Sequence, residues 1–273
     1  MVAIGAHLST AKGFDKAALD AEGIGADAMQ VFTRNPRGGK ARALGEKELA
    51  NVQAFCGNGM KIVCHAPYTI NLASSKEDVR DFGVRTLAED LKRMDRLGAE
   101  CLVVHSGAHT GAGKKQGLER LVDSLEKLVT EVPKGRRILL ETMSGSGTEL
   151  GSTLEELAEV FQRLGQPETL GLCLDTCHLF AAGYDVRDWR QFKEQFCTYF
   201  SWQVVGCIHM NDSKTPFFSH KDRHERLGQG TLGWETFTAI VQEERTRALP
   251  LIMETPNDLA GWAKEIAELR KVL

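Results

Sequence analysis

Apolar residues along this chain come in short runs that alternate with longer segments of helical spacing. Eight runs stand out, at residues 2–8, 28–33, 61–67, 101–107, 137–143, 171–178, 204–212 and 250–256. Most are rich in Val, Ile, Leu and Cys, and their length suits strands buried on both faces. Each is followed by a candidate helix: 15–26, 46–55, 77–97, 116–131, 153–164, 188–200, 234–244 and 258–272. In the third of these, Leu87, Leu91, Met94 and Leu97 form one apolar stripe. Boundary signals agree with the spacing. Ser152-Thr153 precedes Glu155-Glu156, a capping pattern, and Gly98 closes the third helix. Strand then helix, eight times and without a dividing linker, predicts an α/β chain: a (β/α)8 TIM barrel, one domain over residues 1–273.

Composition changes this picture little. The chain is 42% hydrophobic and 26% charged, ordinary for a globular protein. No apolar run is long enough to span a membrane, and the opening residues MVAIGAHLST read as a first strand rather than a signal peptide. A net charge of −3 gives no global positive field, so a polyanion would need a local basic patch. Seven Cys without a CxxC pair argue against a thiolate zinc site. Cys64, Cys101, Cys173 and Cys207 are expected as buried reduced thiols, and the spacing of Cys173 and Cys177 reads as incidental.

The chemistry lies where the runs end. In a barrel of this kind the active site is built at the C-terminal ends of the strands. The third to eighth runs end at His65, His105, Glu141, Asp175 with His178, His209, and Glu254, and the polar stretch after the seventh adds Asp222 and His224. Asp175 and His178 have a plain reading, a helix cap and a packed ring, which weighs about as much as a ligand pair. Six consecutive strands with such endings weigh more. Burying that many carboxylates together without a cation costs several kcal/mol each. His with Asp and Glu and no Cys points to zinc or manganese. Five His and four carboxylates would furnish three open sites of about three protein ligands each.

Three longer stretches, DTCHLFAAGYD at 175–185, HMNDSK at 209–214 and DRHERLGQGTLG at 222–233, make the chain recognisable. With Ile4-Gly5-Ala6-His7 and Ile252-Met253-Glu254-Thr255-Pro256, it resembles the endonuclease IV family, zinc-dependent abasic-site endonucleases, along essentially its whole length. The resemblance implies three zinc ions, one of them replaceable by manganese or iron. His65, His105 and Glu141 would hold the first. Glu141 would bridge to the second, with Asp175, His209 and Glu254, and His178, Asp222 and His224 would hold the third. Glu141 would also act in catalysis, and His7 and His109 would stand behind the ligands, with His220 outside. The implied reaction is hydrolysis 5′ to an abasic site in double-stranded DNA, with cleaning of blocked 3′ ends as a second activity. The expected setting is a monomer in the cytoplasm, associated with the nucleoid through DNA.

Arg37 and Tyr68 are the expected DNA contacts. Arg37 belongs to a basic loop, Arg34 to Arg42, which with Lys114-Lys115, Lys214, Lys221 and Arg223 would form a phosphate-binding crown. Tyr68 resembles a family residue that helps open DNA at the lesion. Gly38-Gly39 stand where relatives are bulkier, Ser106 where Pro is frequent, and Thr142-Met143-Ser144 where Asn-Thr-Ala is common. Two rival readings are a two-metal sugar isomerase on the same barrel, which has no use for Asp222 and His224, and a catalytically weak relative, which the full ligand set opposes.

Overall fold

The computed structural model describes residues 2–37 and 40–273, so Gly38-Gly39 and their expected wedge lie outside the described residues. Eight parallel strands close a barrel: β1 (Ala3–His7), β2 (Ala28–Phe32), β3 (Lys61–His65), β4 (Cys101–His105), β5 (Arg137–Glu141), β6 (Leu170–Asp175), β7 (Val205–His209) and β10 (Pro250–Met253). Around the barrel the order is β1-β10-β7-β6-β5-β4-β3-β2, so each strand pairs with its sequence neighbours and β1 seals against β10. Two strands of two residues, β8 (Asp212–Ser213) and β9 (His224–Glu225), form a separate antiparallel ribbon above the mouth.

The outer layer is α1 (Phe14–Gly23), α2 (Glu46–Gly57), α3 (Glu77–Leu97), α4 (Lys114–Val129), α5 (Leu154–Arg163), α7 (Trp189–Phe196), α8 (Trp234–Gln242) and α9 (Leu259–Arg270), with the short α6 (Thr176–Ala182) directly after β6. The stripe Leu87, Leu91, Met94 and Leu97 is buried against the barrel. Thr153 caps α5 by accepting from the Glu156 N–H, and Gly98 ends α3 at φ 74, as the boundary signals predict. Inside the barrel, Val63, Val103, Leu139, Cys173, Cys207 and Ile252 make a buried apolar plug below the mouth.

Every barrel strand ends before its apolar run does, and at two of them the physical reason is plain. The run 171–178 stops being a strand at Asp175, whose Oδ1 accepts from the His178 N–H at 2.8 Å and starts α6. The run 204–212 breaks at Met210-Asn211, because Asp212 turns into the ribbon. The buried Asp212 carboxylate then accepts from the N–H groups of Gly230 and Leu232 and folds the long loop back on itself.

Candidate metal centre

Strand register decides what meets at the mouth. In-register pairing sets His105 beside Glu141 and Asp175 beside His209. Glu254 follows β10, its N–H donating to Asn211 Oδ1 at 2.8 Å. Six strand ends thus deliver side chains to one level, and the ribbon lowers Asp222 and His224 onto them.

Three groups result. His65 Nε2 and His105 Nε2 lie 3.1 and 3.3 Å from Glu141 Oε2. The other Glu141 oxygen, Oε1, lies 3.1 Å from His209 Nδ1, which also faces Glu254 Oε2 at 3.3 Å and Asp175 Oδ2 at 3.8 Å. In the third group, His178 Nε2 and His224 Nε2 lie 3.3 and 3.1 Å from the two oxygens of Asp222. Asp175 Oδ2 reaches toward this group too, 3.7 Å from His224 Nε2. Glu141 therefore joins the first group to the second, and Asp175 the second to the third. Each group has ligand atoms within 4.8 Å of one another.

The imidazoles are oriented from behind. His65 Nδ1 donates to the Ala66 carbonyl at 2.7 Å, and His178 Nδ1 to the Thr142 carbonyl at 2.9 Å. His209 Nε2 donates to Gln30 Oε1 at 2.8 Å, and His224 Nδ1 approaches the Glu254 carbonyl at 3.4 Å. Each ring thereby spends its N–H away from the centre and aims its other nitrogen, as an acceptor, at the carboxylates. That is the arrangement of metal-ligating histidines.

Among protein groups alone, protons must balance these charges. Burial would push His178 and His209 down, yet Asp175 and Glu141 beside the first and Glu254 and Glu141 beside the second hold both well above the usual imidazole value. Burial would likewise raise Glu141 and Glu254. The facing rings, His209 foremost, hold both below the usual carboxylate range. Cations answer the same charge while leaving the rings neutral. The donor set fits them on a second count: His178 Nε2 and His224 Nε2 are buried without a hydrogen-bond partner. An unsatisfied buried polar atom costs about 1–3 kcal/mol, which a bound cation removes.

Beside the centre opens a cleft of about 1250 Å³, lined by Lys12, Phe32, Tyr68, His105, Asp222 and Trp262 among others. A family model described as "Xylose isomerase-like TIM barrel" matches residues 19–272. The chain is 42% identical to the probable endonuclease 4 of Methanosphaera stadtmanae, over 99% of each chain. The chain belongs to the endonuclease IV family. The crystal structure of endonuclease IV from Thermus thermophilus superposes with a TM-score of 0.87 at 30% identity, covering 99% of this chain and 98% of that one. A D-tagatose 3-epimerase-like protein shares the fold, with a TM-score of 0.75 at 21% identity and 99% and 97% coverage. That likeness is of architecture alone.

Within the endonuclease IV frame, the structure places the remaining expected residues. Tyr68 stands at the mouth, 60% exposed, its ring 6.3 Å from that of His105. Arg37 is exposed on the loop after β2. The crown is smaller than its sequence suggests. Arg34 is buried, bonded through Nε to Asp90 Oδ1 at 2.9 Å, and ties the loop to α3. Arg42 is paired with Glu48 and Lys114 with Glu156. His7 does contact a candidate ligand, its Nδ1 2.8 Å from Glu254 Oε1. His109 does not: its Nδ1 accepts from the Gly113 N–H in its own loop. Cys173 is in register with Cys207 rather than associated with Cys177, and both thiols are buried.

Two residues escaped the sequence reading. Gln30, fully buried on β2, donates through Nε2 to Glu254 Oε1 at 2.7 Å while its Oε1 holds His209. Asn211 donates to Asp175 Oδ2 at 2.7 Å and accepts from the Glu254 N–H. The available signal was an amide inside an otherwise apolar run, Ala28-Met29-Gln30-Val31-Phe32.

Proposed function

We propose that the protein hydrolyses the phosphodiester bond 5′ to an abasic site in double-stranded DNA, leaving a 3′-hydroxyl and a 5′-deoxyribose phosphate, and that it also clears blocked 3′ ends. Membership of the endonuclease IV family makes it an endonuclease of DNA repair. The observation that carries the reading at the site is the third group, His178, Asp222 and His224. A two-metal sugar isomerase has no role for it, and the cleft is larger than the roughly 300–1,000 Å³ of ordinary small-ligand pockets.

Zinc is the cation proposed for all three groups, with manganese or iron able to replace one, and when bound it supplies Lewis acidity and positive charge to a phosphodiester at neutral pH. His65, His105 and Glu141 would hold one ion, Glu141, Asp175, His209 and Glu254 a second, and His178, Asp222 and His224 a third. The chain's own residues supply geometry. Glu141, buried and approached by rings on both oxygens, orients the attacking water toward the phosphorus. Gln30 and Asn211 keep His209, Glu254 and Asp175 from turning away. Arg37 meets a backbone phosphate, and Tyr68 presents its ring at the mouth to the opened lesion. The DNA is bound by a monomer. Among the described residues no helix is long and apolar enough to cross a membrane.

The test is incubation with an end-labelled duplex carrying one abasic site, with and without a chelator. One incision 5′ to the lesion, abolished by the chelator and restored by zinc, is expected. An uncut duplex in the presence of zinc, manganese and iron would reject the reading.

A further inference from the structure

The loop between β8 and β9 carries two aromatic residues that the metal centre does not use. Phe217 and Phe218 are 43% and 60% exposed. Phe218 has a backbone φ of 58 and His220 a φ of 52, the left-handed region that bulky residues seldom enter. Such conformations persist only where the surroundings hold them, and they gather at functional sites. Here the hold is visible. The Phe218 N–H donates to the Phe180 carbonyl at 3.1 Å and the His220 N–H to the Ala181 carbonyl at 3.0 Å, both at the end of α6.

The ring itself is seated. It packs edge-on against His220, centroids 4.5 Å apart. It also rests on the bare Cα of Gly183, where a Cβ would come within 2.7 Å of Phe218 Cδ2. Phe217 packs on Phe180 at 5.3 Å and fills the space behind. An aromatic ring is thus fixed in orientation yet left open to water, at a cost in backbone conformation. Lys214, Lys221, Arg223 and Arg226 are exposed on the same stretch. Aromatic faces among cations are what single-stranded nucleic acid recognises, because every base has a face to stack and every linkage a charge to neutralise.

Position matters as well. In the closed strand order β6, which leads into α6, lies four strands from β2 and so directly across the barrel. A duplex crossing the mouth would have the Arg37 loop on one side and Phe218 on the other. An intact duplex offers no free base face along its length, whereas an abasic site leaves a base without its partner.

We propose that Phe218 is a stacking platform for an unpaired nucleobase at the lesion. The proposal rests on the reading of the protein as an abasic-DNA nuclease. It is tested with two DNA hairpins of one sequence, one intact and one holding a single abasic analogue with a methylphosphonate at the scissile linkage. Affinity is measured for the zinc-loaded protein and for Phe218→Ala, Phe218→Leu and Phe218→Trp, each checked for unchanged melting and metal content. Ala and Leu should weaken binding of the abasic hairpin about tenfold, the effect of removing one base–aromatic stack. Trp should hold affinity, and the intact hairpin should change by less than about twofold, having no base to stack. The salt dependence should stay as it was, since no phosphate contact is lost. Equal losses on both hairpins, no loss on either, or full affinity with Leu would each overturn the stacking role. Cleavage of the same hairpin with a natural linkage by the unaltered protein tests the underlying reading separately.

Discussion

The two halves of the metal centre are held by different means. The candidate ligands of the first two groups sit at the ends of barrel strands or directly after one, fixed by sheet register and by Gln30 and Asn211 from behind. In the third group only His178 is tied closely to a barrel strand, through α6 directly after β6. Asp222 and His224 arrive on a long loop and a two-residue ribbon, and the Asp222 side chain is 47% exposed. The barrel half is preorganised by the fold. The loop half is held outside the barrel sheet, by the Asp212 carboxylate, the ribbon and the carbonyls at the end of α6, so loss of its candidate ligands should leave the barrel intact.

The sharpest way to break the comparison is Glu141→Gln, because Glu141 joins two groups within the preorganised half. Single-turnover cleavage of abasic DNA should fall by about 10²- to 10³-fold, the scale of losing a preorganised charge at a reacting centre. DNA binding should persist. Cleavage near the normal rate with full metal content would remove Glu141 from its bridging role.

Next comes the loop half. Asp222→Ala combined with His224→Ala should lower zinc from about three to about two per chain, two of three ligands at one site being gone. Cleavage should drop roughly 10²-fold, mainly in kcat, because charge on the leaving oxygen grows toward the transition state. His224 lies in the ribbon rather than in a loop, as sequence reasoning would have it, but not in a barrel strand, so the melting transition of the barrel should survive. Elemental analysis beside calorimetry settles both points.

Gln30→Leu removes support without removing a ligand. Zinc affinity or activity should fall about 10- to 100-fold, the usual effect of losing an outer hydrogen-bond partner. A metal titration that overlays the unaltered protein would make Gln30 a packing residue.

A smaller effect concerns pH. Burial would lower the His224 ring, but the Asp222 carboxylate 3.1 Å away and the Asp175 charge raise it to about 9. A raised folded value means that protonated His224 stabilises fully below its ordinary value of 6.5 and that this is lost as pH rises through about 9. Chelated protein should therefore melt lower at the alkaline end of that window than at the acid end. With zinc the ring is held neutral, so the trend should flatten or reverse. Parallel melting curves for the two forms would contradict the account. Smallest of all, Arg37→Ala should weaken abasic DNA binding and lower the salt slope by about one. An unchanged slope would take Arg37 off the DNA.

Much of this was legible in the chain because strand ends are. An apolar run that stops at His or Glu names both the strand and the residue at the mouth, and His65, His105 and Glu141 were readable in that way. Arg34 was not, because its partner Asp90 lies on α3, far along the chain, and a basic run carries no sign of which member is buried. Gln30 and Asn211 were missed because an amide has no ligand chemistry of its own; its role exists only once β2, β6, β7 and β10 close into one barrel. The end of β6 was misjudged for a related reason. Asp175 reads equally as ligand and as helix cap, and the structure brings it to both positions.

That double duty has a consequence for assembly. One oxygen of Asp175 starts α6 while the other faces the centre, and the far end of α6 supplies the carbonyls on which the Phe218 loop hangs. The candidate metal centre and the aromatic loop are therefore joined through a single seven-residue helix. Replacing Asp175 should therefore disturb the candidate metal centre and the seat of Phe218 together, which a substitution confined to either end of α6 should not do.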